Sequence, residues 1–247
     1  MPDENYLDPR LVRLYDALNP VGADTDFYLG LAGRHQSRIL DIGCGTGTLA
    51  ILLAESGHQV TGLDPAAAMI DVARINDVDR RVEWMEGDAR SLNIDAVFDL
   101  VVMTGHVFQV FLTDADVAAV LGNARRRLLP EGVLAFETRN PVPRPWERWS
   151  PDASVRRIKV NDLGDVIVSY RIVEVTGDIV TFETTYRFVD EDEAIVAESS
   201  LRFLDDRALR EHLSAAGFDP VAFYGDWDRS PASLSSPEII VVARRQR

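Results

Sequence analysis

The sequence predicts an α/β fold: a Rossmann-like, seven-stranded, mostly parallel sheet with helices on both faces and an antiparallel β meander inserted after the fifth strand. Three observations carry this. The stretch from Ile39 to Ala54, ILDIGCGTGTLAILLA, runs from an apolar strand through a glycine turn into an apolar helix, the opening unit of a parallel sheet. Three successive apolar strands end in acids, Asp41, Asp64 and Asp88. A block of period-2 alternation then interrupts the strand–helix rhythm between Val155 and Phe203.

The elements follow in order. Asp8-Pro9 reads as an N-cap with proline at the first helical position, and Leu11, Leu14, Tyr15 and Leu18 share one face of the helix that follows. Asn19-Pro20 ends it. A second short helix, capped by Asp24 or Thr25, carries Phe27, Tyr28 and Leu31 and closes at Gly33. After the first strand and helix, Val60–Leu63 forms a strand ending in Asp64, with Pro65 starting a helix that holds Met69, Ile70 and Ala73. Val82–Glu86 is the third strand. Phe98–Met103 is a near-continuous apolar run suited to a central parallel strand. Thr113 and Asp116 cap the next helix, and Pro130-Glu131-Gly132 turns the chain into the fifth strand, Val133–Glu137.

From Pro141 the composition changes. Three prolines and two tryptophans, Trp146 and Trp149, lead into β segments at 155–160, 166–175, 179–188 and 194–203. Asp205 then caps a last helix ended by Gly217, and 218–224 and 238–243 are the final strands. The organisation expected is a main domain over 1–145 and 205–247, whose first 34 residues are N-terminal helices, with an inserted antiparallel subdomain over 146–204. The alternating strands need one face covered, by the main domain or by a second copy of the chain, which would make the insert a homodimer contact.

The glycine turn separates two cofactor classes. A dinucleotide site requires G-x-G-x-x-G with pyrophosphate at the helix N-terminus. Here the glycines are Gly43, Gly45 and Gly47, position 48 is Thr48, and Asp41 precedes them. A carboxylate there repels pyrophosphate and suits a ligand bearing an ammonium and a sulfonium. On these residues the stretch resembles motif I of the class I S-adenosylmethionine-dependent methyltransferases, and LLPEGVLAFE resembles the helix–turn–strand further on. The resemblance covers 36–140 and 205–243.

That resemblance implies S-adenosyl-L-methionine as cofactor, held by Asp41, Gly43, Cys44 and Gly45 at the turn. Asp64 would accept from the two ribose hydroxyls, with Pro65 and Met69 beside it. Asp88 and the Ala89 N–H would meet the adenine, and Thr104 would border the site after the fourth strand. It also implies that the N-terminal helices lie over the cofactor, with Tyr6, Tyr15 and Tyr28 as lid candidates. On the acceptor side it points to Tyr28, His106, Gln109 and Arg139. His106 stands just past the fourth strand, where a base can remove the acceptor's proton, and Gln109 can orient the acceptor. The implied activity is methyl transfer to nitrogen or oxygen of a small molecule by in-line displacement. A non-catalytic S-adenosylmethionine-binding protein is the alternative.

Composition narrows the partners. Lys+Arg 26 against Asp+Glu 40 gives a net charge of −14, which disfavours a nucleic-acid partner. Arg125-Arg126-Arg127 falls late in a helix, where cations meet the negative end of the dipole. The single cysteine, Cys44, forms no internal disulfide, and the four histidines form no ligand-spaced cluster, so no metal is expected. With no signal-peptide pattern and no apolar run long enough to span a bilayer, the expectation is a cytoplasmic protein without a membrane partner.

Overall fold

The computed structural model describes residues 8–160 and 163–247. Its larger sheet has seven strands in the order β10-β11-β5-β4-β1-β2-β3. These are β1 (Arg38–Ile42), β2 (Gln59–Asp64), β3 (Val82–Glu86), β4 (Phe98–Met103), β5 (Leu128–Arg139), β10 (Phe218–Tyr224) and β11 (Glu238–Arg245). The pairs from β3 through β5 are parallel, and β11 runs antiparallel between β5 and β10. The strand order reverses between β1 and β4, the switch point outside which ligands bind in open α/β sheets.

The apolar runs arise because both faces of this sheet are covered. Along β4, Val101 and Met103 face helices α5 (Asp114–Arg127) and α7 (Asp206–Ala215), while Leu100 and Val102 face the opposite layer. That layer holds α2 (Ala23–Ala32) and α3 (Thr48–Glu55), packed through Phe27, Leu49 and Leu53. Helix α4 (Ala67–Asn76) follows β2.

The caps fall close to expectation. Asp8, Thr113 and Asp205 each accept a bond from a first-turn N–H of their helices. Helix α2 is the exception: Gly22 occupies its cap without a side-chain bond, and Asp24 and Thr25 lie inside the helix. Pro65 does not begin α4, which starts two residues later. Asp64 reaches over it to accept from the Ala66 N–H at 2.8 Å. The 130–132 turn is absorbed into β5, where Glu131 takes a positive φ of 66°.

The inserted segment forms its own antiparallel sheet, β6-β7-β8-β9. The strands are β6 (Arg156–Val160), β7 (Gly164–Thr176), β8 (Ile179–Phe188) and β9 (Glu193–Arg202), preceded by a one-turn helix α6 (Pro151–Ser154). Helix α1 (Pro9–Leu18) joins the two sheets. Its Leu11 and Leu14 pack on Val166, Val168 and Phe188 of the insert, and its Val12 packs on Ala66 and Met69 of the main sheet's side. The part of the insert's inner face around Val166 and Phe188 is therefore covered by α1 within one chain, while Tyr170 and Phe182 face a cavity. The insert's outer face carries polar residues such as Arg171, paired with Glu183.

Gly62, in the middle of β2, has no left-handed conformation to satisfy. A Cβ there would fall 2.6 Å from the Trp84 ring and 3.0 Å from Cys44 Sγ. The ring cannot swing away freely, because Trp84 Nε1 donates to Asp77 at 3.1 Å. Gly62→Ala is expected to destabilise the fold by about 1–3 kcal/mol through overpacking. At about 2–4 °C per kcal/mol for a chain of this size, thermal unfolding should show a midpoint lowered by several degrees. An unchanged midpoint would contradict this packing.

Candidate cofactor and acceptor site

One cavity of about 550 Å³ opens at the carboxyl ends of β1, β2, β3 and β4 and extends to the inner face of the insert. Its main-sheet end is walled by Gly43, Gly45, Asp64, Pro65, Met69, Asp88 and Ala89. Gly105, His106 and Arg139 stand midway, and Trp149, Tyr170 and Phe182 form part of the far wall. Tyr15 of α1 roofs it. A Cβ on Gly45 would come within 3.4 Å of the Tyr15 ring, and Thr46 Oγ1 donates to Asp16 of the same helix. Tyr6 lies outside the described residues.

All three motif glycines take positive φ, between 55° and 88°. At Gly43 the space of a Cβ is filled by Val107, at 2.4 Å, and at Gly47 by Trp84, also at 2.4 Å. Their freedom from a side chain thus serves the protein's own packing as well as the turn.

The strand-end acids differ in state. Asp64 Oδ2 accepts from the Gly45 N–H at 3.0 Å, and Oδ1 from Ala66. Burial raises its carboxyl above the usual range, and those two backbone bonds pull it back. Two oxygens carry about four acceptor sites, so two remain for a diol. Asp88 is clasped by the Arg90 guanidinium at 2.6–3.1 Å, which lowers its carboxyl. Asp41 is only 1% exposed, and neither carboxylate oxygen has a partner. Burial, then the charges of Asp64 and Glu137, push it up to about 7.

Asp41 is not among the residues lining the cavity; its unpartnered carboxyl lies behind the wall, where a cation in the cavity would favour its charged form. S-Adenosylmethionine carries an ammonium and a sulfonium, so this donor set fits it, with Asp64 presenting acceptors for the ribose. Cys44 departs from expectation. Its side chain is turned into the core against Gly62, and its N–H donates to Leu63 at 3.1 Å. Thr104 also stands off the cavity wall, which Gly105 supplies instead. Burial raises the Cys44 thiol, which therefore stays protonated.

On the acceptor side, His106 lies in the left-handed region at φ 62° and is held there by its N–H, which donates to Glu137 Oε1 at 2.7 Å. Its Nε2 meets both oxygens of Glu238, at 3.0 and 3.1 Å. That contact assigns the proton to Nε2 and leaves Nδ1 as the acceptor nitrogen. Arg139 reaches the cavity. Gln109 and Tyr28 do not. Gln109 is fully buried, with its amide oxygen accepting from Arg139 at 2.9 Å and its nitrogen donating to the Arg202 carbonyl at 3.1 Å. It positions Arg139 instead of touching an acceptor. Tyr28 is sealed in the core among Phe27 and Trp227 and donates its hydroxyl to Glu137. Burial raises the Glu137 carboxyl.

Sequence reasoning missed Glu137, Glu238 and the insert's aromatic wall. Glu137 carries the same signal as the other three, an acid closing an apolar strand. Glu238 has no local signal, because only the pairing of β11 with β5 sets it opposite Arg139. Among the described residues no cluster of His, Cys, Asp and Glu could hold a metal, and no helix is long and apolar enough to cross a membrane.

The seven-stranded order, the glycine turn and the strand-end acids define a methyltransferase fold. Residues 39–132 match the family described as a methyltransferase domain. Over its whole length the chain is 26% identical to a cypemycin N-terminal methyltransferase from Streptomyces sp, with both chains covered completely. The CcbJ methyltransferase from Streptomyces caelestis superposes with a TM-score of 0.80 at 18% identity, covering 100% of both chains. CalS10 from Micromonospora echinaspora, an amino pentose methyltransferase solved with S-adenosylmethionine bound, gives 0.72 at 21% identity over 94% of this chain and 97% of its own. Together these likenesses support a class I S-adenosylmethionine-dependent methyltransferase, with the methyltransferase-domain match itself confined to residues 39–132.

Asp41 generates a pH dependence. In the empty protein its carboxyl lies at about 7 against about 3.9 in an unfolded chain. Between those values the folded state keeps a proton that the unfolded state has lost. Stability therefore falls as pH rises from about 4 to about 7 and then levels off. The decline is on the order of a few kcal/mol. Denaturant titrations across that range should show a shallower decline in Asp41→Asn, and an identical decline in both proteins would contradict the assignment.

Proposed function

We propose that the enzyme methylates the nitrogen of a small-molecule or peptide amine, with His106 serving as general base and Glu238 fixing its orientation. The observation that carries this is a single cavity joining the strand-end acids to the insert, with the His106–Glu238 pair between the two ends. Two proteins similar to the chain over most of its length support nitrogen, one named an N-terminal methyltransferase and the other an amino pentose methyltransferase. A ubiquinone biosynthesis O-methyltransferase, named for oxygen, is 37% identical over only 51% of the chain.

Bound S-adenosylmethionine supplies an electrophilic methyl group on a sulfonium. In this proposal Asp41 faces the cofactor's cationic end, Asp64 accepts from the ribose, and Gly43, Gly45, Pro65, Met69, Asp88 and Ala89 enclose the rest. Positioning alone can supply about 7–11 kcal/mol of barrier lowering, so the chain needs few groups that act chemically. An amine that arrives as ammonium must lose a proton before its lone pair can attack. With Nε2–H donated to Glu238, His106 Nδ1 is the nitrogen that can take that proton, and the imidazolium so formed is stabilised by the same carboxylate. Tyr15 and α1 exclude water from above. The division into a main domain and an insert over 146–204 belongs to the same proposal, with the insert forming the acceptor side. So do a cytoplasmic location and a homodimer through the insert, whose apolar face is partly covered by α1 already.

Two measurements test it. Asp64→Ala should weaken S-adenosylhomocysteine at least tenfold in calorimetric titration while the fold is retained, since charge-assisted bonds contribute about 1.5–3 kcal/mol each. An unchanged dissociation constant would remove Asp64 from the cofactor site. His106→Ala should lower turnover of an amine acceptor about 10²–10⁴-fold near neutral pH and flatten the acid limb of the profile. A rate within threefold of the parent with the same profile would reduce His106 to a wall residue.

A further inference from the structure

The charges around the cavity are sorted by position. Of the acids, Asp64 and Asp88 line its main-sheet end, while Asp41, Glu137 and Glu238 stand behind the wall, Glu238 bonded to His106. The cations on the acceptor side are Arg139 and Arg156. Arg90, the remaining cation of the wall, lies at the opposite end and is held by Asp88 and Asp116.

Arg139 and Arg156 flank a cluster of rings. Trp149, Tyr170 and Phe182 pack with centroids 4.8–6.2 Å apart and line the cavity together. The Arg139 guanidinium lies 5.7 Å over Trp149 and is oriented by the buried amide of Gln109. The Arg156 guanidinium lies 5.9 Å over Tyr170 and donates to its hydroxyl at 2.9 Å. Among the described residues Arg156 has no carboxylate partner, in a chain whose net charge is −14. The acid on the insert's side of the wall is Glu198, exposed on the edge strand β9.

We infer that the methyl acceptor is a zwitterion, with its amine directed to His106 and Glu238 and a carboxylate or phosphate, carried on or next to a ring, held by Arg139 and Arg156 against Trp149, Tyr170 and Phe182. The inference rests on the methyltransferase function proposed above and adds the acceptor's chemistry to it. A guanidinium recognises either anion in the same forked geometry and keeps its charge at every working pH. The rings supply a face on which a flat or ring-bearing body packs. A molecule with separated charges is oriented by such a cavity before any specific contact forms, with its cation drawn to the acids and its anion to the arginines.

The test uses the full chain saturated with S-adenosylhomocysteine, titrated calorimetrically with three probes: hippurate, phenyl phosphate and neutral benzamide. At least one anion should bind ten times more tightly than benzamide, and which one does so distinguishes carboxylate from phosphate. In Arg156→Ala that preference should shrink to within threefold, while S-adenosylhomocysteine affinity stays within twofold of the parent. Arg156 is exposed on a short strand, so its loss leaves the core intact. Equal binding of all three probes, no binding of either anion, or a preference that survives in Arg156→Ala would overturn the inference and leave the methyltransferase reading standing. Failure of S-adenosylhomocysteine itself to bind would overturn both.

Discussion

The structure depends on charge held where water cannot reach it. Parallel strands covered on both faces must be apolar along their length, so polar residues are pushed to their ends. Here those ends carry Asp41, Asp64 and Glu137; burial raises the carboxyl of each, and the charges of Asp64 and Glu137 raise Asp41 further. Asp64 and Glu137 each have donors from the surrounding backbone or side chains. Asp41 has none. A fold that keeps an unpartnered carboxyl in its interior gives up stability for it, and in the proposed function a cationic cofactor offsets that cost when it binds.

The remaining architecture answers to the same constraint. Helix α1 seals the cavity from above and ties the two sheets together through opposite faces of a single ten-residue helix. The insert then supplies a wall of rings and Arg156 of β6, facing the same cavity as Arg139 of β5. β11 contributes Glu238 from the far end of the chain, and this sets a carboxylate behind His106. In the proposed reading, cofactor side and acceptor side are built from different kinds of sheet. The acids come from parallel strand ends and the acceptor wall from the face of an antiparallel meander.

Much of this was legible in the sequence where a local pattern carries it. The glycine turn, the three strand-end acids, the caps at Asp8, Thr113 and Asp205 and the β8 boundaries all follow from spacing and residue type. Gln109 and Tyr28 were misplaced because position in the chain does not say which way a side chain points. Gln109 sits in the loop that borders the cavity yet turns inward to serve Arg139, and Tyr28 belongs to an aromatic core behind Glu137. Cys44 follows the same rule, its side chain fitting the gap left by Gly62. Glu238 was invisible because its role exists only once β11 pairs with β5.

The most direct test of the central claim is proton release on cofactor binding. Calorimetric titration of S-adenosylmethionine at pH 6, in buffers of differing ionisation enthalpy, counts the protons exchanged. At that pH the Asp41 carboxyl of the empty protein holds its proton for most of the time. Binding a cation beside it should release close to one proton in the parent and almost none in Asp41→Asn. A binding heat independent of buffer in the parent, or the same release in both proteins, would contradict the claim that a buried, unpartnered Asp41 is what the cofactor's positive charge satisfies.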